Sequence, residues 1–141
     1  MASTTTEERP IGGSLTAAIS NAAVRIMSEY TGRGPTKART SIRDDVVLIL
    51  MQDTLTKADK SLLAAGQADF VMETRHRFQM TMRDDLIAAV EMLTERKVIA
   101  FMSTNHAHPD MAAEIFVLEP SAHAALTEPD RRARDEQQPN C

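Results

Sequence analysis

The stretch Val46 to Met51, Val-Val-Leu-Ile-Leu-Met, decides the fold class of this chain. It lies within a predicted strand over residues 46–52. Because successive side chains of a strand point to opposite faces, the even-numbered residues lie on one face and the odd-numbered residues on the other. A sheet with one hydrated face carries polar residues at alternate positions, and this stretch carries none. It therefore predicts a strand that is apolar on both faces.

Two later stretches repeat this two-sided apolar pattern. The predicted third strand covers residues 98–104, and the predicted fourth strand covers residues 112–118. The pattern predicts Val98, Ala100 and Met102 on one face of the third strand, with Ile99 and Phe101 on the other. Burying both faces requires more than one layer of helices, since an exposed apolar patch of this size exceeds the few hundred Å² usual for a monomer. We therefore expect a homodimer; the alternative is a monomer in which the first helix covers the second face.

Helical periodicity and turn signals complete the predicted architecture, an α+β fold with the order αββ(α)αββ. Thr56 and Asp59 have the spacing of a capping box and predict the start of a short helix. The Asp-rich connection at 43–45 predicts a hairpin between the first two strands. The sequence thus predicts a four-stranded antiparallel sheet with helices packed on it. The remaining predicted elements are helices at about 15–31, 57–65 and 70–95 and a first strand at about 38–42.

Length and composition favour one domain between two tails. The chain has 141 residues and a net charge of −4. Residues 14–119 form the predicted domain, while residues 1–13 and 120–141 are polar or proline-containing and are predicted to be flexible. The longest aliphatic run is far shorter than the roughly 20 residues of a membrane span, and the N-terminus lacks the apolar region of a secretory signal. With Cys141 as the only cysteine, these features predict a cytoplasmic protein.

The segment from Thr31 to Pro35 is the most conspicuous loop. Gly32, Arg33, Gly34 and Pro35 either end a helix, with glycine at the position after its last turn, or present backbone and a cation to a partner. Phosphate-binding loops precede a helix N-terminus, whereas this loop follows a helix, which argues against a nucleotide phosphate site. Lys37, Arg39 and Arg43 continue a basic run that either binds an anion, a lipid headgroup or an acidic partner, or protects a strand edge.

Arg75 falls on the apolar stripe of the long helix together with Val71, Phe78 and Met82. A buried arginine must pair with a carboxylate or with backbone carbonyls. The sequence allows two interpretations of Arg75: a structural ion pair or an anchor for a ligand. Glu114 is one candidate carboxylate partner, and Asp44 and Asp45 are others.

No catalytic or metal-binding set is evident. His106, His108 and Asp110 are too few for a zinc site, which takes three or four protein ligands. Adjacent Asp84 and Asp85 diverge by about 100° around a helix and do not form an acid–base pair. The net charge of −4 and the few aromatic residues disfavour nucleic acid as a partner. We predict no catalytic residue, no metal and no cofactor.

An ordered series of motifs across residues 14–119 resembles the MpsC-like family, the soluble C component of a sodium-translocating, membrane-potential-generating system. The resemblance implies a small cytoplasmic protein that associates with membrane components for ion or inorganic-carbon movement, and it implies no reaction. The resemblance also implies a functional role for the Gly32–Pro35 loop and for Arg75, because these residues belong to its motifs. The motifs are Tyr30-Thr-Gly-Arg-Gly-Pro35, Asp45 to Leu50, Leu55 to Leu63, Val71-Met-Glu-Thr-Arg75-His-Arg-Phe78, Val98-Ile-Ala-Phe101 and Ala113 to Leu118.

Two functional hypotheses follow from the sequence. The first is a non-enzymatic, homodimeric accessory or regulatory module that docks on a membrane transport complex or another protein, peripheral to the membrane. The second is a sensor that binds a small anion or a nucleotide through Arg33 and Arg75. The predicted contact residues for a partner or an anion are Gly32, Arg33, Gly34, Pro35, Lys37 and Arg75.

Overall fold

Three helices and four strands follow one another in the computed structural model, which describes residues 13–120. The predicted tails, with His123 and Cys141, lie outside the described residues except at Gly13 and Pro120. The helix α1 begins at Gly13, inside the predicted N-terminal tail. The elements are α1 (Gly13–Thr31), β1 (Lys37–Arg43), β2 (Val46–Gln52), α2 (Lys57–Ala64), α3 (Ala68–Thr94), β3 (Val98–His106) and β4 (Met111–Leu118).

The four strands form one antiparallel sheet in the order β1-β2-β4-β3. This arrangement confirms the predicted α+β class, the element order and the four-stranded sheet. The two hairpins lie side by side, so that β2 and β4 form the centre and β1 and β3 form the edges. In the register, Val46 pairs with Arg43 on one side and with Val117 on the other.

The hydrophobic core lies on one face of the sheet, which we call the inner face. Val47, Ile49 and Met51 of β2, which were predicted to share a face, point into it and are buried. Phe116 of β4 lies beside them, and its ring centroid is 5.2 Å from that of Phe101 on β3. Burial of these side chains and of their partners on α1 and α3 supplies the main stabilising free energy of the domain.

Helix α1 packs on the same face of the sheet as α3. Its buried residues Ile19, Ala23 and Ile26 belong to one cluster with Ile49 of β2 and Leu86 of α3. The alternative in which the first helix covers the second face is therefore wrong.

The opposite face, which we call the outer face, is covered by no helix of the described chain. Its centre is apolar as predicted, with Val46 41% exposed and Met102 50% exposed. Of the remaining apolar residues on this face, Ala100 is exposed and the others are half-buried. The apolar members of the outer face are Val46, Leu48, Leu50, Ala100, Met102, Met111, Ala113, Ile115 and Val117.

A β-bulge alters the predicted faces of the third strand. Val98 pairs with the buried Leu118, while Ala100 pairs with Val117, so the intervening Ile99 has no partner. A bulge inserts one residue and reverses the alternation beyond it. Val98 consequently packs against the core with Phe101, and the predicted grouping of Val98 with Ala100 and Met102 is wrong. Ile99, predicted to share a face with Phe101, is 56% exposed.

The apolar stripe of α3 also differs from the prediction by one position. Phe78 is 42% exposed, and Gln79 is buried in its place. The buried positions are spaced by three or four residues, which keeps them on one side of a helix with 3.6 residues per turn. They are Val71, Arg75, Gln79, Met82, Leu86 and Val90. A polar residue in this stripe requires buried partners.

Candidate functional site

The Gly32–Pro35 loop ends α1 and packs against it. Gly32 has a φ of +77°, and its N–H donates to the carbonyl of Ser28 at 2.9 Å, as expected after a last helical turn. At Gly34 a Cβ atom would lie 3.1 Å from Val24 Cγ1 and 3.2 Å from its carbonyl oxygen. Pro35 is buried. Gly32 therefore serves the helix end, and Gly34 serves its close packing.

Arg33 ties this loop to the segment after β2. Its Nη1 donates to the carbonyls of Asp53 at 2.9 Å and Leu55 at 2.8 Å, and its Nη2 lies 2.7 Å from Asp53 Oδ2. This contact holds the pKa of the Asp53 carboxyl below its ordinary value. Lys60 adds a second cation 3.8 Å from Asp53. The guanidinium is half-exposed, and three of its five N–H donors bond to residues 53 and 55.

Asp110 holds the same segment from the β3–β4 turn. Its Oδ1 accepts hydrogen bonds from Thr54 N at 3.1 Å and Thr54 Oγ1 at 2.8 Å, and its Oδ2 accepts one from Leu55 N at 2.9 Å. Thr54 and Leu55 are buried. This carboxylate therefore replaces the backbone partners that the segment lacks after leaving the sheet.

Arg75 is 7% exposed and lies beneath this segment. Its Nη1 is 3.2 Å from Asp59 Oδ2 and 3.2 Å from the carbonyl of Thr54, and its Nε is 3.3 Å from Asn105 Oδ1. The pairing with a carboxylate and a carbonyl follows the expected chemistry. The candidate partners were wrong, however, because the carboxylate belongs to Asp59.

Asp59 joins Arg75 to the start of α2. Its Oδ2 accepts from Thr56 N at 3.0 Å, and its own N–H donates to Thr56 Oγ1 at 3.1 Å. This reciprocal pair confirms the predicted capping box. One carboxylate thus caps a helix and neutralises a buried cation. Of the candidate partners, Asp45 bonds to Arg96 at 2.6 Å.

A chain of buried amides extends from Arg75 to Glu114. Asn105 Nδ2 donates to Gln79 Oε1 at 2.6 Å, and Gln79 Nε2 donates to Glu114 Oε1 at 2.9 Å. We call the five side chains that run from α2 to β4 the buried polar chain; they are Asp59, Arg75, Asn105, Gln79 and Glu114. A polar path through an apolar core costs stability unless its members are paired.

Glu114 is the terminal member and lies fully buried on the inner face. Burial raises the pKa of its carboxyl to about 7, against the opposing effects of its hydrogen-bond partners and the positive charge of Arg75. Ser103 pairs with Glu114 across the strands. Within residues 13–120, neither Glu114 Oε2 nor Ser103 Oγ has a hydrogen-bond partner of good geometry. Among the described residues, Gln79 is thus the donor that meets this carboxyl with good hydrogen-bond geometry.

In the loop that contains His106, His108 and Asp110, the side chains of His106 and Asp110 contact other parts of the chain. His106 Nδ1 lies 2.8 Å from the carbonyl of Pro109, while Asp110 is bonded to Thr54 and Leu55. No cluster of three or more His, Cys, Asp or Glu side chains able to hold a metal occurs in the described part of the chain.

The basic run separates into two places. Arg33 lies at the Asp53 loop, whereas Lys37, Arg39 and Arg43 lie exposed at alternate positions of β1. The register puts these three on the outer face, beside Gln52, Leu50 and Val46 respectively. We call them the cationic row.

Comparison with known proteins identifies the family. Residues 12–120 match the family described as Na+-translocating membrane potential-generating system (MpsC). The chain belongs to the MpsC family. The match includes every helix and strand described above. No curated protein and no solved structure matches this MpsC-family chain. Among its described residues, no helix is long and apolar enough to cross a membrane.

Proposed function

We propose that this MpsC-family protein is a non-enzymatic accessory or regulatory module that works as a homodimer. It associates from the cytoplasm with a membrane system that moves ions or inorganic carbon, or that generates membrane potential. Family membership supports the association, since the family description names such a system. The observation that carries the proposal is the uncovered apolar outer face.

The outer face has the properties of a surface that binds protein. Its centre contains no charged residue, and it spans all three apolar strands β2, β4 and β3. Burying a large aliphatic side chain completely contributes about 1.5–3 kcal/mol, and several such residues here are only partly covered. Flat apolar faces of this kind are covered by a second sheet at about 10 Å in sandwich folds. We assign a second copy as the occupant because a two-fold axis pairs an apolar patch with itself.

The cationic row restricts how two copies pack. If the two-fold axis of the dimer ran perpendicular to the strands and parallel to the sheet, the two β1 strands would face each other. The two cationic rows would then repel. An axis parallel to the strands instead lays β1 of one protomer across β3 of its partner. That arrangement keeps the two cationic rows at opposite rims of the interface, and we favour it.

The dimer proposal is tested by molar mass in solution with a charge placed in the outer face. Ile115→Glu would bury a carboxylate in the interface, and we expect it to convert particles of twice the 15.5 kDa chain mass into single chains. Light scattering after size exclusion measures the mass, and far-ultraviolet circular dichroism checks the fold.

Met92→Glu is the matched control, because Met92 is 72% exposed on α3, away from the outer face. It should leave the dimer intact. A wild-type protein that runs as a single chain at all concentrations would refute the dimer, as would an Ile115→Glu variant with the wild-type mass.

The membrane association has its own test. Crosslinking in the native cell should join the protein to an integral membrane component of an ion or carbon transport system. Mass spectrometry of the purified adducts identifies the component. Adducts confined to soluble proteins would contradict the association while leaving the dimer unaffected.

Anion sensing through Arg33 and Arg75 receives less support from the geometry. The Arg75 guanidinium is buried and paired with Asp59, and the Arg33 guanidinium is paired with Asp53. An anion at either place would have to displace a carboxylate already present in the fold. The arginines are better explained as links that hold the segment 53–59.

A further inference from the structure

The strand β1 combines an open sheet edge with an unpaired line of positive charge. It is the terminal strand of the sheet, so one side of its backbone has no strand neighbour. Lys37, Arg39 and Arg43 point to the outer face from this edge. None of the three forms an ion pair with any residue in the range 13–120. The edge thus offers both backbone hydrogen-bonding groups and uncompensated charge.

A groove runs along this edge between α1 and β1. It has a volume of about 590 Å³ and reaches around β1 to the outer face. The side formed by α1 carries only small residues, Thr16, Ala17 and Ser20, and the outer side reaches Leu48 and Leu50. Small residues on the helix leave space beside the strand where a larger side chain would fill it.

Protection of an exposed edge explains the cationic row only in part. Charged residues on edge strands discourage pairing with other chains. The opposite edge, β3, is longer and presents Ala100, Met102 and Thr104 to the outer face, with no charge among them. If the charges served only to prevent edge pairing, the β3 edge would need them at least as much as the β1 edge. The charge is concentrated on the edge that has the groove.

We propose that the β1 edge binds an extended acidic segment of a partner protein as an added fifth strand. Such strand addition takes affinity from backbone hydrogen bonds and specificity from alternate side chains. Acidic residues at every second position would face the cationic row, with Lys37 and Arg39 about 7 Å apart along the strand and Arg43 about 14 Å beyond Arg39, after Ser41. The intervening residues would face the groove and α1. This inference rests on the proposed role as a docking module and specifies the chemistry of its partner.

A protein strand fits the row better than an anionic membrane does. The cations form one line on one face of an edge strand, at positions 37, 39 and 43, and they are not spread over a plane. A planar membrane would have to contact the apolar centre of the outer face as well, which the second copy covers in the proposed dimer. An added strand needs only the rim of that dimer.

The test uses a short fluorescent peptide of alternating glutamate and threonine, with binding measured by fluorescence anisotropy. We expect the peptide to bind the wild-type protein, and the affinity to fall as salt is added, because exposed charges are screened. A peptide of the same composition with the glutamates in one block should bind at least about tenfold more weakly. Methylation of the peptide backbone nitrogens that face the edge should weaken binding to the same degree, because it removes the strand hydrogen bonds and leaves the protein unaltered.

Arg39→Glu reverses the central charge of the row and should raise the Kd at least about tenfold. Arg77→Glu is the matched control, since it reverses the same charge at an exposed site on α3, away from the outer face, and it should leave the Kd within about twofold. Equal binding of the alternating and block peptides, no loss with Arg39→Glu, or no binding at all would overturn the proposal. Binding to phosphatidylglycerol vesicles without binding to the peptide would assign the row to a membrane instead. Each outcome is independent of the dimer mass, so failure here is distinguishable from failure of the dimer.

Discussion

Replacing Arg75 by methionine is expected to lower the free energy of unfolding by about 3–5 kcal/mol, the range for removing one partner of a buried ion pair. The side chains of Arg75 and Asp59 are 7% and 13% exposed. The substitution leaves the Asp59 carboxylate without its cation and removes the donors bonded to Thr54 and Asn105. Methionine retains an unbranched apolar stem like that of arginine and lacks the guanidinium, so the loss reports chiefly the polar contacts. Urea unfolding followed by circular dichroism measures the difference.

The same helix supplies the matched control. Arg77 lies two residues further on and pairs with Glu73 at 2.9 Å, but both side chains are largely exposed, at 78% and 63%. Arg77→Met should therefore cost less than about 1 kcal/mol. Both variants are compared at one protein concentration, because dimerisation would make stability depend on concentration. Equal losses in the two variants would show that the buried pair does not stabilise this fold.

A double-mutant cycle separates Asp59 from the other contacts of Arg75. Adding Asp59→Asn to Arg75→Met removes the uncompensated charge, so the double variant should be more stable than the sum of the two single losses predicts. If Arg75 served mainly to bind an external anion, the cycle would show little coupling. The result therefore distinguishes the structural role of Arg75 from the anion hypothesis.

The elements of the fold could be predicted from local patterns, whereas the partners of the polar residues could not. The two-sided apolar stretch from Val46 to Met51 is a local signal, and it led to the correct sheet and to the uncovered outer face. Ile99 was misplaced because a bulge adds one residue, and an all-apolar strand carries no polar position to reveal the shift.

At the site too, local patterns reveal some residues but not their partners. Arg75 was recognisable because a cation interrupts an apolar helical stripe, but its partner depends on how α2 packs against α3, which no spacing encodes. Gln79 could have been found by continuing the four-residue steps from Val71 and Arg75. Asn105 and Asp110 resemble ordinary loop residues, and only the folded chain brings them to Gln79 and Thr54.

Glu114→Gln is expected to abolish a large part of the pH dependence of stability. The folded carboxyl has a pKa of about 7 against an ordinary value of 4.5. The folded state therefore keeps a proton that the unfolded chain releases. By linkage, the contribution of this group to stability is greatest below about pH 4.5 and declines as the pH rises through about 7. The full decline is about 3 kcal/mol at 1.36 kcal/mol per pKa unit.

Glutamine retains the shape of the protonated acid and its bond to Gln79, but it does not titrate. We therefore expect wild type and Glu114→Gln to unfold at similar urea concentrations near about pH 5, and the variant to be the more stable protein at about pH 8. Taking the difference between the two proteins cancels the other groups, including Asp53, whose lowered pKa acts in the opposite direction. Glu119→Gln, at an exposed site just beyond β4, is the matched control for the loss of one carboxyl and is measured over the same pH range.

The carbon chemical shift of the Glu114 carboxyl provides an independent measurement of the same titration. Its midpoint should lie near 7 in the wild type, and it should move upward in Arg75→Met, because the nearby positive charge favours the ionised form. That shift would link the two ends of the buried polar chain electrostatically, from the cap of α2 to the centre of the sheet. A wild-type midpoint near the ordinary value would mean that water reaches Glu114, and the stability difference from Glu114→Gln would then be flat across this pH range.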